Sequence, residues 1–277
     1  MITFPNAKIN IGLDILKKRP DGYHDLNTLM VPVGWKDILE IVPQKCGSED
    51  SLTITGRPVN CPTEKNLVMK AVVAMRRLCR IPPLEIHLHK IIPDGAGLGG
   101  GSADAAFTIK MLRDMYVPEL SNDIIAGIAA TLGADCPFFI YNRPMLCEGT
   151  GTEMRNFEIH MPESFRIVII KPPVAVSTRE AYANVTPKVP AYSLEYLLKE
   201  VSVEKWQGKI TNDFEYSVFP TFPAIADIKK ELERAGAIYT SMSGSGSAVY
   251  GIFDADKISD SMAENFPGCD ICVTEIL

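Results

Sequence analysis

Ile91-Ile92-Pro93-Asp94-Gly95-Ala96-Gly97-Leu98-Gly99-Gly100-Gly101-Ser102-Ala103-Asp104-Ala105-Ala106 sets five glycines between two segments of different periodicity. Before it, Leu84-Glu85-Ile86-His87-Leu88-His89 alternates and reads as a strand. After it, Ala103, Phe107, Met111 and Met115 recur at helical spacing as far as Tyr116. A glycine-rich turn from strand to helix leaves backbone N–H groups open to a ligand. The helix N-terminus adds a partial positive charge, so the segment is expected to hold an anion, phosphate above all. Ser102 is expected as the N-cap, its hydroxyl turned to that anion or to its metal. A flexible connector has no need of this order of strand, glycines, cap and helix.

The kind of phosphate loop follows partly by exclusion. Gly95-Ala96-Gly97-Leu98-Gly99-Gly100 fits the dinucleotide pattern GxGxxG. That fold wants an acid at the end of the next strand about twenty residues on. Here a second helix begins there, at Ser121, and the preceding chain is too rich in strands for a first βαβ unit. Gly95 and Gly100 have the P-loop spacing, but Gly101 stands in place of the required lysine. The HRD and DFG elements of protein kinases are missing. A phosphate-binding loop of another kind remains.

The bulk properties agree with a globular enzyme-sized chain. Its 277 residues bury a sizeable core in one large domain or two moderate ones. A net charge of −6 argues against nucleic-acid or membrane-surface partners. No apolar run is long enough to span a bilayer, and MITFPNAKIN lacks the layout of a signal peptide, so a cytoplasmic location is expected. Seven scattered cysteines do not suggest a disulfide framework. Cys269 and Cys272 form a lone CxxC within CDICVTEIL, where strand alternation accounts for them better than zinc or redox chemistry.

Outward from the loop, Ala7 to Ile15 alternates, placing Lys8 and Asn10 on one strand face, either solvated or part of a site. Pro20-Asp21-Gly22 is a turn signal that leads into Tyr23 and His24. A strand is expected from Val31 to Val42, interrupted at Gly34, and another over Ser51 to Thr55. A helix over Asn66 to Arg80 is expected to bury Leu67, Ala71, Ala74 and Leu78. Ser121 caps a helix with apolar positions Ile124, Ile125, Ile128 and Leu132, stopped by Gly133. Asp135 follows, a lone acid before the apolar, strand-like Cys136 to Ile140. Capping and chemistry are both open for it. Phe157 to Phe165 is the candidate boundary between domains 1–157 and 158–277. Further on, Arg166 to Lys171 reads as a buried strand and Ser177 to Val185, carrying Tyr182, as a short helix or loop. Leu194 to Val201 and Pro223 to Arg234 read as helices, the second with Ile225, Ile228 and Leu232 on one face and Gly236 as its stop. Strands over Ala237 to Met242 and Ala248 to Phe253 flank Ser243-Gly244-Ser245-Gly246-Ser247. That second glycine loop is either a plain turn or backbone pressed against the first.

Three ordered motifs resemble the GHMP kinases, the family of galactokinase, homoserine kinase and mevalonate kinase. They are Pro5-Asn6-Ala7-Lys8-Ile9-Asn10, Pro93 through Ala106, and Met242-Ser243-Gly244-Ser245-Gly246-Ser247. The resemblance implies an α+β fold in two lobes. The N-terminal lobe would be like the second domain of ribosomal protein S5 and the C-terminal lobe ferredoxin-like, with ATP and acceptor meeting in the cleft between them. Within the family the chain is most similar to the member whose acceptor is a cytidine diphosphate ester. Arg19 through His24, Gly99-Gly100-Gly101, Leu132 through Phe138 and Asn212-Asp213-Phe214-Glu215 carry that similarity. The implied reaction is ATP-dependent phosphorylation of the ester's 2-hydroxyl in non-mevalonate isoprenoid precursor biosynthesis.

By the same resemblance, Asp135 is the catalytic base, and Lys8 orients it and stabilises charge on the hydroxyl oxygen. Asn10 lies by the acceptor, Tyr23 and Tyr182 sandwich the cytosine, and His24 hydrogen-bonds its edge; the family often has Phe in place of Tyr182. Lys90 belongs to the nucleotide pocket near adenine, while Pro93, Asp94, Gly95, Ala96, Gly97, Leu98, Gly99, Gly100, Gly101 and Ser102 hold the ATP phosphates. Mg²⁺ accompanies the ATP, with Ser102 as its candidate ligand. Asp94, an acid beside a phosphate loop, points outward or joins a metal site. The competing readings are a kinase for a mevalonate- or homoserine-type alcohol and a nucleotide-binding sensor without catalysis. The sequence leaves the oligomeric state open.

Overall fold

The computed structural model describes residues 1–45 and 47–277, and of Asp260 the backbone alone. Its contacts group the chain into two compact units, each built from separated segments. Met1–Ala7, Trp35–Asp94 and Gly99–Arg143 form the first; Lys8–Gly34, Gly95–Leu98 and Pro144–Leu277 form the second.

The first unit holds a sheet in the order β1-β4-β6-β5, with β1 at Ile2–Thr3, β4 at Ile38–Pro43, β5 at Ser51–Gly56 and β6 at Leu84–Lys90. β4 and β6 are antiparallel, with Ile38 opposite His89 and Leu39 opposite Leu88; β5 runs parallel to β6. Alternation decides which side of β6 is buried: Leu84, Ile86, Leu88 and Lys90 point inward, while Glu85 and His87 face out. Its helices are α1 (Leu67–Met75), α2 (Gly100–Tyr116), α3 (Asn122–Ala130) and α4 (Cys136–Tyr141).

The second unit holds two sheets. One has the order β2-β3-β7-β8, with β2 at Asn6–Lys18, β3 at His24–Lys36, β7 at Met145–Glu148 and β8 at Glu153–Asn156; the outermost residues of β2 and β3 belong to the first unit. The other is fully antiparallel in the order β10-β11-β9-β12, with β9 at Phe165–Lys171, β10 at Tyr239–Met242, β11 at Val249–Asp254 and β12 at Asp270–Thr274. Helices α5 (Thr178–Ala183), α6 (Leu194–Glu200), α7 (Glu215–Thr221) and α8 (Pro223–Arg234) complete the unit. Ile225, Ile228 and Leu232 of α8 enter a core shared with Val168, Ile170, Val249 and Phe253, as their spacing predicts.

Five local expectations are corrected. α2 begins at Gly100, with Gly99 at the N-cap position in the left-handed region, so Ser102 lies in the first helical turn and is not the cap. α1 buries Val68, Ala71, Val72 and Met75, one position out of phase with the expected face; the helix stops at Met75, and Leu78 beyond it is exposed. α3 likewise buries Ile125, Ala126 and Ala129 and exposes Ile124. Small and apolar residues on neighbouring positions let either phase satisfy the pattern. Cys136–Tyr141 is a helix, not a strand; it is buried on nearly every side, so periodicity cannot distinguish the two. The expected strand from Val31 to Val42 is two strands, broken at Asp37 rather than Gly34.

Candidate active site

In the second unit, β2 carries Lys8 and Asn10 on one buried face. The Lys8 ammonium donates to Asn10 Oδ1 at 2.7 Å, and Asn10 Nδ2 donates to Thr28 Oγ1 at 3.0 Å. Thr28 in turn donates to the Gly12 carbonyl at 2.6 Å, and the Tyr250 hydroxyl donates to the Asn10 carbonyl at 2.8 Å. Both ends of the Asn10 amide are therefore assigned, which fixes its direction.

The same unit fastens the middle of the glycine loop from three sides. Leu98 O accepts from Lys8 N at 2.9 Å and Ala96 O accepts from Ala248 N at 3.1 Å. Gly97 O accepts from Ser243 Oγ at 2.9 Å. The second glycine loop thus presses on the first, which settles a reading the sequence leaves open. It is itself held by Asn212, whose Nδ2 donates to the carbonyls of Met242 and Gly244, each at 2.8 Å.

Pro20-Asp21-Gly22 closes the β2–β3 turn, Gly22 N donating to Arg19 O at 3.1 Å and Tyr23 N to Asp21 Oδ1 at 3.0 Å. Tyr23 is left exposed. His24 stacks on Tyr182 with ring centroids 4.7 Å apart and planes 17° from parallel, and Tyr182 meets Phe214 edge-on. Burial and the nearby Lys18 charge push the His24 imidazole below its ordinary value. A neutral ring donates at one nitrogen and accepts at the other, which suits it to reading a nucleobase edge. A cavity of about 650 Å³ in this unit, lined by Asp14, Lys188, Tyr192 and Tyr216, contains none of the predicted site residues.

In the first unit, the Gly100, Gly101 and Ser102 amides form the opening turn of α2, where helix geometry supplies no intrahelical acceptor. Gly99 contributes no capping side chain. The turn is therefore suited to phosphate oxygens. Asp135 occupies the N-cap position of α4, yet its side chain makes no capping bond there. Cys136 lies between two predicted site residues: burial pushes its thiol up to about 11, a hydrogen bond with Ser102 opposes this, and the charge of Asp135 adds to it. A Cβ at Gly133 would stand 3.3 Å from Cys136 Sγ and 4.0 Å from Ser102 Oγ, which places Ser102 near the start of α4, beside Asp135.

The Lys90 side chain is taken up by two carboxylates. Its phase on β6 is the inward one, and its ammonium is fully buried, donating to Asp37 Oδ2 at 2.5 Å and to Asp104 Oδ2 at 2.7 Å. Asp37 and Asp104 have no counterpart in the sequence reading, although Asp37 shares the inward phase of Leu39 and Ile41.

These features match a kinase family. Residues 66–143 match the model for the GHMP kinases N terminal domain, and residues 195–268 that for the GHMP kinases C terminal domain. The chain belongs to the GHMP kinases. The 4-diphosphocytidyl-2-C-methyl-D-erythritol kinase of Parabacteroides distasonis is 49% identical over 254 residues, covering 92% of each chain. That of Bacteroides thetaiotaomicron is 50% identical over 257 residues, 92% of this chain and 93% of its own. A crystal structure of 4-(cytidine 5'-diphospho)-2C-methyl-D-erythritol kinase superposes with a TM-score of 0.83 at 28% identity, covering 99% of both chains. A mevalonate kinase structure, with a TM-score of 0.72 at 13% identity, shares the fold.

Proposed function

We propose that the chain is an ATP-dependent kinase that phosphorylates the 2-hydroxyl of 4-diphosphocytidyl-2-C-methyl-D-erythritol, a step of non-mevalonate isoprenoid precursor biosynthesis. The observation that carries this reading is near-half identity over 92% of the length with relatives bearing that activity in their names. ATP is the donor and Mg²⁺ its companion. When bound, Mg²⁺ neutralises phosphate charge, and the Ser102 hydroxyl is a hard oxygen donor of the kind it prefers.

Each residue then has a role. The first-turn amides of α2 and the Gly95–Leu98 backbone hold the donor phosphates. Asp135 accepts the proton of the attacking hydroxyl, and Lys8 neutralises the charge that develops on its oxygen. The fixed Asn10 amide positions the acceptor. Tyr23 and Tyr182 take the two faces of the cytosine and His24 reads its edge.

The observed stack adds a requirement. In the observed stack the His24 imidazole, its centroid 4.7 Å from that of Tyr182, covers a face of the Tyr182 ring that the base would take. The imidazole leaves Tyr182 when the base arrives. His24→Ala is expected to lower kcat/KM for the cytidine substrate by about 10–10²-fold and to erase its preference over a uridine analogue. Steady-state kinetics on the two nucleotides measures this, and unchanged discrimination would remove His24 from the base site.

A further inference from the structure

The ends of the phosphate loop in the first unit converge on one buried charge. Lys90 closes β6 immediately before the loop, and Asp104 lies in the second turn of α2 immediately after it. The β4–β6 register, continued one residue past Ile38 and His89, places Asp37 directly opposite Lys90. The side chains of Lys90, Asp37 and Asp104 are 2%, 0% and 4% exposed. The ammonium bonds both carboxylates, at 2.5 and 2.7 Å. Asp37 uses its second oxygen on the chain leaving β6, accepting from Ile91 N at 2.5 Å and Ile92 N at 2.9 Å. Gly100 completes the arrangement: a Cβ there would stand 3.0 Å from Ile92 Cγ2 and 3.3 Å from the Lys90 ammonium. A side chain at the first helical residue would require Ile92 or the Lys90 ammonium to give way by a few tenths of an ångström.

Burying one cation with two carboxylates is not a natural source of stability. Such groups are often replaceable by apolar side chains at no loss, because desolvation consumes the Coulombic gain. Asp104 carries that imbalance. Burial pushes its carboxyl up to about 7, the Lys90 charge opposes this, and the Asp37 charge adds to it. Its Oδ1 atom is buried with no hydrogen-bond partner. What the cluster does supply is direction. It connects the last residue of the strand, the first two residues of the loop and the start of the helix through atoms that tolerate little displacement.

We propose that Asp37, Lys90 and Asp104 are positioning residues for ATP: together they clamp the strand end to the helix start, so that the first-turn amides of α2 keep the orientation that receives the donor phosphates. The proposal rests on the kinase reading above. Their side chains act through Gly100, Gly101 and Ser102.

The test is calorimetric titration of Mg-ATP into wild type, Lys90→Met, Asp104→Asn and the double variant, without acceptor, paired with the acceptor KM at saturating ATP. Lys90→Met is expected to weaken ATP binding about tenfold or more and Asp104→Asn about threefold. The acceptor KM should stay within about twofold. The double variant should bind ATP no worse than Lys90→Met alone, because the two side chains act as one group. Asp104→Asn conserves shape and hydrogen bonding, so it decides the matter if Lys90→Met fails to fold. Unchanged ATP affinity in the folded variants would overturn the proposal. So would equal losses in ATP affinity and acceptor KM, the mark of general loosening. A wild type that binds Mg-ATP but phosphorylates no cytidine acceptor would instead sink the functional reading and leave the titrations able to judge the clamp.

Discussion

Asp135→Asn is expected to lower kcat by about 10²–10⁴ while ATP binds as it does to the wild type. An alcohol is a poor nucleophile until its proton has somewhere to go, and the amide that replaces the carboxylate cannot take it. The local geometry makes the substitution informative. Asp135 occupies the N-cap position of α4, where an aspartate often bonds a backbone amide and its loss costs about 1 kcal/mol. Here the side chain makes no such bond, so capping of α4 is removed as a competing explanation. The variant should melt close to the wild type, and single-turnover kinetics should place the loss in the chemical step. A wild-type kcat would take Asp135 out of the proton-accepting role.

Gly97→Ala carries the second large effect. Gly97 has φ +72°, a conformation L-residues rarely adopt, and a Cβ there would overlap the Ser243 carbonyl group, with its carbon 2.9 Å away. Backbone cannot rotate aside as a side chain end can. The alternative is to separate the two glycine loops, breaking the bond from Ser243 Oγ to Gly97 O and the one from Ala248 N to Ala96 O. The expected result is a loss of about 10²-fold or more in ATP affinity, or of about 2–4 kcal/mol in stability if the loops stay joined under strain. Gly95→Ala is the control. Its φ of +61° is similarly strained, but its Cβ would meet only Ala175, at 3.8 Å. Titration and thermal melts of the pair should show Gly97→Ala far the worse; equal, small effects would contradict the packing argument.

Much of this was readable in advance where a residue type admits one physical use. The strand, glycines and helix around residue 99 lie as expected, because alternation and glycine content are local signals. The Pro20-Asp21-Gly22 turn and the buried face of α8 are similarly local. Where the structure departs from the sequence pattern, the pattern itself is ambiguous. α4 looked like a strand because almost every side chain in it is covered. α1 and α3 slipped by one position because adjacent residues were equally able to be buried. Lys90 is the instructive case. Resemblance assigns it to the nucleotide pocket, and its even spacing from Leu84, Ile86 and Leu88 places its side chain on the buried face of β6. A buried lysine requires partners, and these came from distant positions, Asp37 and Asp104, which no local pattern connects. The anchors of Asn10 were hidden for the same reason, since Thr28 and Tyr250 reach it through tertiary structure alone.

The central claim is that this chain transfers phosphate from ATP to one cytidine-bearing alcohol. It is tested most directly by following ATP turnover in a coupled assay with 4-diphosphocytidyl-2-C-methyl-D-erythritol, homoserine, mevalonate and mevalonate phosphate as separate acceptors. Turnover that requires the cytidine diphosphate substrate, and yields ADP and its 2-phosphate in equal amounts, is the predicted result. Turnover with another alcohol, or ATP binding without turnover on any of them, would contradict it.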